Sequence, residues 1–95
     1  MRIRYTRRAF ADREAIYEYY DRRNPATARE VKAFIKKRIN DLHYLPERYP
    51  LNEEIDARAF FLGQYPYIVY YRIADDEISI LHIRHASRRP WEGDN

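Results

Sequence analysis

The spacing of apolar residues changes midway along the chain, and this change constrains the fold more than any other sequence feature. In the first half, apolar residues recur every three or four positions, the spacing of one buried helical face: Ala28, Val31, Ile35, Ile39 and Leu42. Later, residues 57–62, 67–73 and 77–85 are rich in β-branched and aromatic side chains, as strands are. The pattern predicts an α+β fold in which helices precede a three-stranded antiparallel meander.

Before the meander, we predict a short N-terminal strand and an antiparallel helical hairpin. Alternation over Arg2–Thr6 indicates a strand with one polar side, and Thr6 is a suitable N-cap for a helix over residues 8–22. The partial apolar face of this helix consists of Ala9, Ile16, Tyr19 and Tyr20. Asn24-Pro25 interrupts the helix, because the residue before a proline disfavours helical backbone.

The second helix has two candidate caps. Either Asn24 caps it with Pro25 in the first turn, or Thr27 caps it with Glu30 three residues later. Leu45-Pro46 ends the helical pattern, and residues 47–56 form a polar loop. Further turns are predicted at Gly63-Gln64 and at Asp75-Asp76, between the strands of the meander.

Length and composition exclude several classes of protein. A chain of 95 residues, 45% of them hydrophobic, suits one core, so we predict a single domain over residues 1–95. The absence of cysteine excludes disulfides and thiolate nucleophiles. There is no run of about 18 apolar residues, and the first five residues lack the apolar stretch of a secretory signal. We therefore expect a cytoplasmic protein that does not contact a membrane.

The strands of the meander carry apolar side chains on both faces. This pattern is typical of sheets that are covered on both sides, and the helical hairpin covers one of them. The residues left over, 86–95, are too few to suggest a second layer, so we expect an open face, half apolar and half basic, that awaits a partner. Either Tyr70 or Tyr71 must face away from the helices, and the sequence does not decide which.

Arginine dominates the charge of the chain. There are 15 arginines and 3 lysines, with a net charge of +3. Residues 2–8 and 82–91 contain no acidic side chain, whereas acids cluster at residues 53–56 and 75–77. If the sheet brings the two basic segments together, they form a surface for an anionic partner, either nucleic acid or an acidic peptide.

Few residues suggest catalysis. His82 and His85 are three apart on a strand and so point to opposite faces, which argues against a shared metal ion. His85 is either a general base or a histidine bonded to the loop that follows. No Gly-x-Ser-x-Gly turn or phosphate-binding loop occurs, and we expect neither a metal nor a cofactor.

With a strand, a helical hairpin and a three-stranded meander in 95 residues, the chain resembles the RelE/ParE superfamily of toxins from bacterial type II toxin–antitoxin modules. The resemblance covers nearly the whole chain and rests on Tyr5-Thr6 through Ala9, residues 24–28, the loop ending at Pro50, Tyr65–Ile73 and Ile80–Arg88. The Pro66-Tyr67 and Tyr71-Arg72 pairs and the His85-Ala86-Ser87-Arg88 ending look like the ParE branch, which inhibits DNA gyrase. The RelE branch instead cuts mRNA on the ribosome.

The resemblance implies a growth-arresting toxin that binds its target rather than cleaving it. We predict target contacts from the C-terminal basic segment, with two arginines of the sheet in support: Arg84, His85, Arg88, Arg89 and Trp91, with Arg58 and Arg72. The implied partners are a cognate antitoxin and DNA gyrase, with operator DNA reached only through the antitoxin.

Two alternatives remain. In a ribosome-dependent mRNA endonuclease, Arg88 and Arg72 would hold the phosphate and His85 would move the proton. The sequence departs from that pattern at Ile68, where a basic residue is expected, and after Ser87, where Trp91 is found but no tyrosine. The third class is a non-toxic co-repressor that acts with its antitoxin.

Overall fold

The computed structural model describes residues 1–93 and has the predicted α+β architecture. The elements in chain order are β1 (Arg2–Tyr5), α1 (Arg7–Arg23), α2 (Pro25–Asn40), a 3₁₀ turn (Asp41–His43), β2 (Leu51–Asn52), β3 (Ala57–Phe61), β4 (Tyr67–Ala74) and β5 (Glu77–His85). No helix in this range is long and apolar enough to cross a membrane.

A side-chain cap begins each helix of the hairpin. Thr6 caps α1, because its hydroxyl accepts a hydrogen bond from Ala9 N at 3.1 Å. Asn24 caps α2 by accepting from Ala26 N and Thr27 N, and its own N–H donates to Tyr20 O at the end of α1. Of the two caps considered for the second helix, the structure therefore uses Asn24.

The sheet has five strands in the order β1-β5-β4-β3-β2. The β3-β4-β5 meander is antiparallel, as predicted, and β1 runs parallel to β5. Parallel neighbours need a long connection, and here it contains the helical hairpin and the strands β2, β3 and β4. β2 was not predicted: only two residues of the loop over residues 47–56 pair with the edge of β3.

A β-bulge divides the central hairpin. Tyr71 pairs with Ile80 and Tyr70 pairs with His82, which leaves Leu81 as an extra residue in β5. The turn between these strands is Asp75-Asp76, whose φ angles of +52° and +58° are those of a type I′ hairpin.

The sheet separates two apolar clusters. Tyr71 lies fully buried in the larger cluster, between the sheet and the helices, with Val31, Ile35, Ile39 and Val69. The smaller cluster, on the opposite face, contains Ala57, Tyr70 and Leu81, with Trp91 packed against it. Tyr70 is thus the tyrosine that faces away from the helices.

The expectation that this second face lies open was wrong. Residues 86–93, called here the C-terminal segment, cross the face, and Trp91 contacts the Tyr70 ring at 5.0 Å. Farther along, a Cβ built on Gly93 would lie 3.3 Å from Ile55, so the segment also reaches the loop before β3. A short irregular segment without apolar periodicity supplies the second layer, mainly through one large side chain.

Candidate functional site

The candidate site is a cleft of about 780 Å³ beside the far end of β5. β1 pairs only with Glu77–Ile80, so α1 rather than another strand covers the next part of β5. The cleft lies between α1, the end of β5 and the C-terminal segment. Its charged side chains, the histidine at the end of β5 and its tryptophan include Arg8, Asp12, Arg84, His85, Arg88, Arg89 and Trp91. We call it the basic cleft.

Asp12 and His82 form its floor. The Asp12 carboxylate accepts from Ile83 N at 3.0 Å and lies 2.6 Å from His82 Nδ1, so it satisfies a strand N–H that β1 does not reach. His82 is 8% exposed, and its ring stacks on Tyr70. These contacts make His82 part of the framework rather than a reactive group.

His85 lies at the end of β5 and is bonded to the turn that follows. Its Nδ1 accepts from Ser87 N at 3.1 Å and lies 2.7 Å from Ser87 Oγ. Its ring contacts Tyr67 edge-on at 5.5 Å. This geometry confirms the loop-bonded interpretation of His85, and it leaves Nε2 as the nitrogen that a target could engage. The rings of His82 and His85 have separate partners on opposite sides of the sheet, as their spacing predicts.

Arg88 and Arg89 are exposed at the mouth of the cleft. Within residues 1–93, neither guanidinium group makes an ion pair or a hydrogen bond. Arg8 of α1 lies across the cleft, with its guanidinium 6.0 Å from the centre of the Trp91 ring. The structure thus brings together one arginine of the N-terminal basic segment and three of the C-terminal one, of which Arg88 and Arg89 are exposed.

Only part of the N-terminal basic segment, residues 2–8, lies at this site. Arg2 and Arg4 both pair with Glu77, at the opposite end of β5 from the cleft. The two side chains hold the pKa of Glu77 below its usual range, mainly through hydrogen bonds.

Arg84 is half-buried in a network of neutral acceptors. Its Nε donates to the Tyr70 hydroxyl at 2.8 Å, and its Nη1 donates to the carbonyls of His85, Ala86 and Arg88 at 3.0–3.3 Å. No carboxylate of the described residues forms an ion pair with the guanidinium. Its Nε and Nη1 donors, however, are directed to acceptors of the protein itself.

Arg58 and Arg72 lie away from the cleft. Arg58 donates to the carbonyls of Glu47 and Tyr49 at 3.1 and 2.6 Å. Arg72 donates to the carbonyls of Asp56 and Ile55 and pairs with the Asp56 carboxylate at 3.2 Å. Both arginines hold the loop before β3 against the sheet. The seven residues predicted to contact a target therefore do not form one surface.

Trp91 packs inward against Tyr70 and His82 rather than standing free. Its Nε1 is buried and has no hydrogen-bond partner within the described residues. The indole therefore covers the second face of the sheet and closes one side of the basic cleft.

Sequence reasoning did not single out Asp12 or Arg8. A signal for Asp12 was present: it lies three residues after Ala9 and four before Ile16, on the apolar side of α1. A carboxylate on a buried helix face usually has a partner. Arg8 was included in the N-terminal basic segment, but nothing local distinguishes it from Arg2 and Arg4.

Three comparisons with known proteins agree on one superfamily of toxins. Residues 3–90 match the family described as "ParE toxin of type II toxin-antitoxin system, parDE". A protein named Toxin RelE2 from Caulobacter vibrioides is 32% identical over 84 residues, which cover 88% of this chain and 93% of that protein. A structure titled "Chromosomal ParDE TA system from P. aeruginosa" superposes with a TM-score of 0.79 at 27% identity, covering 92% of this chain and 97% of that one. The chain therefore belongs to the ParE toxin family of type II toxin–antitoxin systems, within the RelE/ParE superfamily.

Proposed function

We propose that this toxin arrests growth by binding and inhibiting DNA gyrase, and that a cognate antitoxin neutralises it. The observation that carries the proposal is the distance between the residues that a nuclease would need to bring together. His85 pairs with Tyr67 in the sheet, whereas Arg72 follows Tyr67 by five residues along β4. At a strand rise of about 3.4 Å per residue, the two positions lie about 17 Å apart.

Such a separation favours binding over phosphate cleavage. Acid–base catalysis requires the participating side chains to reach the same reacting group at hydrogen-bond distance. Arg72 is also held by the Asp56 and Ile55 carbonyls, far from Arg88. The set of His85, Arg88 and Arg72 is therefore not assembled around one phosphate.

The basic cleft has the composition of a protein-binding site. Arginine and aromatic side chains are enriched where interfaces gain their energy, and Arg88 and Arg89 are exposed beside Trp91. Cations in a concave site also speed the approach of an acidic surface. We propose Arg88, Arg89 and the Nε2 of His85 as target contacts.

Membership of the ParE family and the likeness to a solved ParDE system support an antitoxin partner. We expect an acidic or amphipathic segment that is disordered alone and orders on the toxin. Because such a segment would neutralise arginines and also bury apolar surface, added salt should weaken the complex only in part.

A supercoiling assay tests the target. Purified toxin, gyrase, ATP and relaxed plasmid should yield relaxed or cleaved plasmid, while an mRNA on programmed ribosomes stays intact. Replacing Arg88 and Arg89 together by alanine should weaken gyrase inhibition by about tenfold or more. Arg29→Ala is the matched control, because Arg29 is exposed on α2 outside the cleft.

Other outcomes would select the alternatives. Normal supercoiling together with a cleaved transcript would show that the toxin acts on mRNA at the ribosome and not on gyrase. Absence of both effects, with antitoxin binding retained and no growth arrest, would indicate a co-repressor.

A further inference from the structure

Two side chains from the end of β5 hold the turn that carries Arg88. His85 accepts from Ser87 N, and Arg84 binds the backbone carbonyls. The carbonyl oxygens of His85, Ala86 and Arg88 all accept from Arg84 Nη1. Arg88 N closes the same turn by donating to His85 O at 3.0 Å. Arg84 binds this turn through Nη1 while its Nε donates to the Tyr70 hydroxyl. A guanidinium carries these two donor nitrogens in one fixed plane, whereas a lysine ammonium has a single donor nitrogen.

Tyr70 connects this turn to the rest of the C-terminal segment. Its hydroxyl accepts from Arg84 Nε at 2.8 Å and lies 3.5 Å from Trp91 N. Its ring contacts the Trp91 indole edge-on. Arg84 and Tyr70 therefore fix residues at both ends of the stretch that contains Arg88 and Arg89.

We infer that Arg84 is a positioning residue: it does not contact the target but holds the C-terminal segment so that Arg88 and Arg89 project from the rim of the basic cleft. The inference rests on the proposed function, in which these two arginines bind the target. Without Arg84, the segment would have to be ordered during binding, and the lost conformational entropy would weaken association.

Three substitutions separate positioning from direct contact. Arg84→Gln removes the charge and most donors, and Arg84→Lys keeps the charge but lacks the planar group. Tyr70→Phe removes the acceptor hydroxyl with little loss of packing. Each should reduce gyrase inhibition by about tenfold, by weakening the ordered state of the segment. If Arg84 instead met an acidic target through its charge, Arg84→Lys would retain inhibition.

Trp91 is the one tryptophan of the chain and reports on the segment directly. In all three variants its emission should move to longer wavelength and become more accessible to acrylamide, with the far-ultraviolet circular dichroism unchanged. Arg88→Gln should lose inhibition without altering the Trp91 signal, and Arg29→Gln should alter neither.

Growth arrest in cells is measured alongside gyrase inhibition, because it does not depend on the target's identity. Unchanged Trp91 emission in Arg84→Gln would overturn the inference, and so would a displaced indole with full growth arrest. If the parent toxin arrests growth but leaves gyrase active, the gyrase proposal fails, while the positioning role is still decided by Trp91 and growth.

Discussion

Tyr71 shows how one buried side chain ties a loop to the sheet. Its ring is fully buried between the sheet and α2, and its hydroxyl donates to Pro46 O at 2.6 Å. Arg58 binds two further carbonyls of the same loop. Burial raises the pKa of Tyr71 to about 12, against a smaller opposing effect from Arg58.

This pKa predicts a specific loss of stability at alkaline pH. Since the native state holds the proton more tightly than the unfolded chain, the stabilisation is complete below about pH 10 and is lost as the pH rises towards about 12. Tyr71→Phe removes both the titrating group and the bond to Pro46. At pH 7 it should lower the free energy of unfolding by about 1 kcal/mol. This difference from the parent protein, called here the stability gap, should disappear at about pH 11.

Urea unfolding followed by circular dichroism between pH 7 and 11.5 measures this gap. Tyr67 and Tyr5, whose pKa values burial also raises, are present in both proteins and so do not affect the difference. A gap that stays constant with pH would show that Tyr71 titrates normally.

At the level of secondary structure, one residue connects the two helices of the hairpin. Asn24 is the only residue between α1 and α2, and it makes hydrogen bonds to both helices. Side chain and backbone therefore act together to end one helix and begin the next.

Substitution at this residue distinguishes the two caps that the sequence allows. Asn24→Ala should lower the free energy of unfolding by about 1 kcal/mol, because Ala26 N and Thr27 N lose their acceptor. Asn24→Asp, which keeps an acceptor oxygen, should have a smaller effect. Thr27→Ala should change stability by less than about 0.5 kcal/mol. A larger loss at Thr27 than at Asn24, measured by urea unfolding, would contradict the observed capping.

The elements that the sequence predicted are those with local signals. The apolar face of α2, the caps at Thr6 and Asn24 and the Asp75-Asp76 turn each depend on residues close together in the chain. The parallel pairing of β1 with β5, the two-residue β2 and the bulge at Leu81 depend on distant partners, and no local pattern indicates them.

The same distinction applies to the site. Exposed Arg88 and Arg89 could be predicted from a basic segment that follows a strand. The internal bonds of Arg58, Arg72 and Arg84 could not, because their acceptors are mostly backbone carbonyls, which every residue carries. Charge patterning locates arginines, but only the fold decides which guanidinium groups remain free.

In the molecule as a whole, the C-terminal segment forms the layer that covers the second face of the sheet. Trp91 covers Tyr70 on a face whose own cluster is small. Much of the separation of that face from water thus depends on one indole. The same indole borders the basic cleft, so stability and target binding share one structural element.

Shortening this side chain in two steps tests that dependence. Trp91→Ala should lower the free energy of unfolding by about 2 kcal/mol and increase the binding of an apolar dye, because Tyr70 becomes exposed. Trp91→Phe should lower it by less than about 1 kcal/mol, since a ring remains and the lost Nε1–H has no partner within the described residues. Urea unfolding and dye fluorescence give both quantities. Equal losses in the two variants would mean that the indole N–H, rather than ring packing, holds the segment on the sheet.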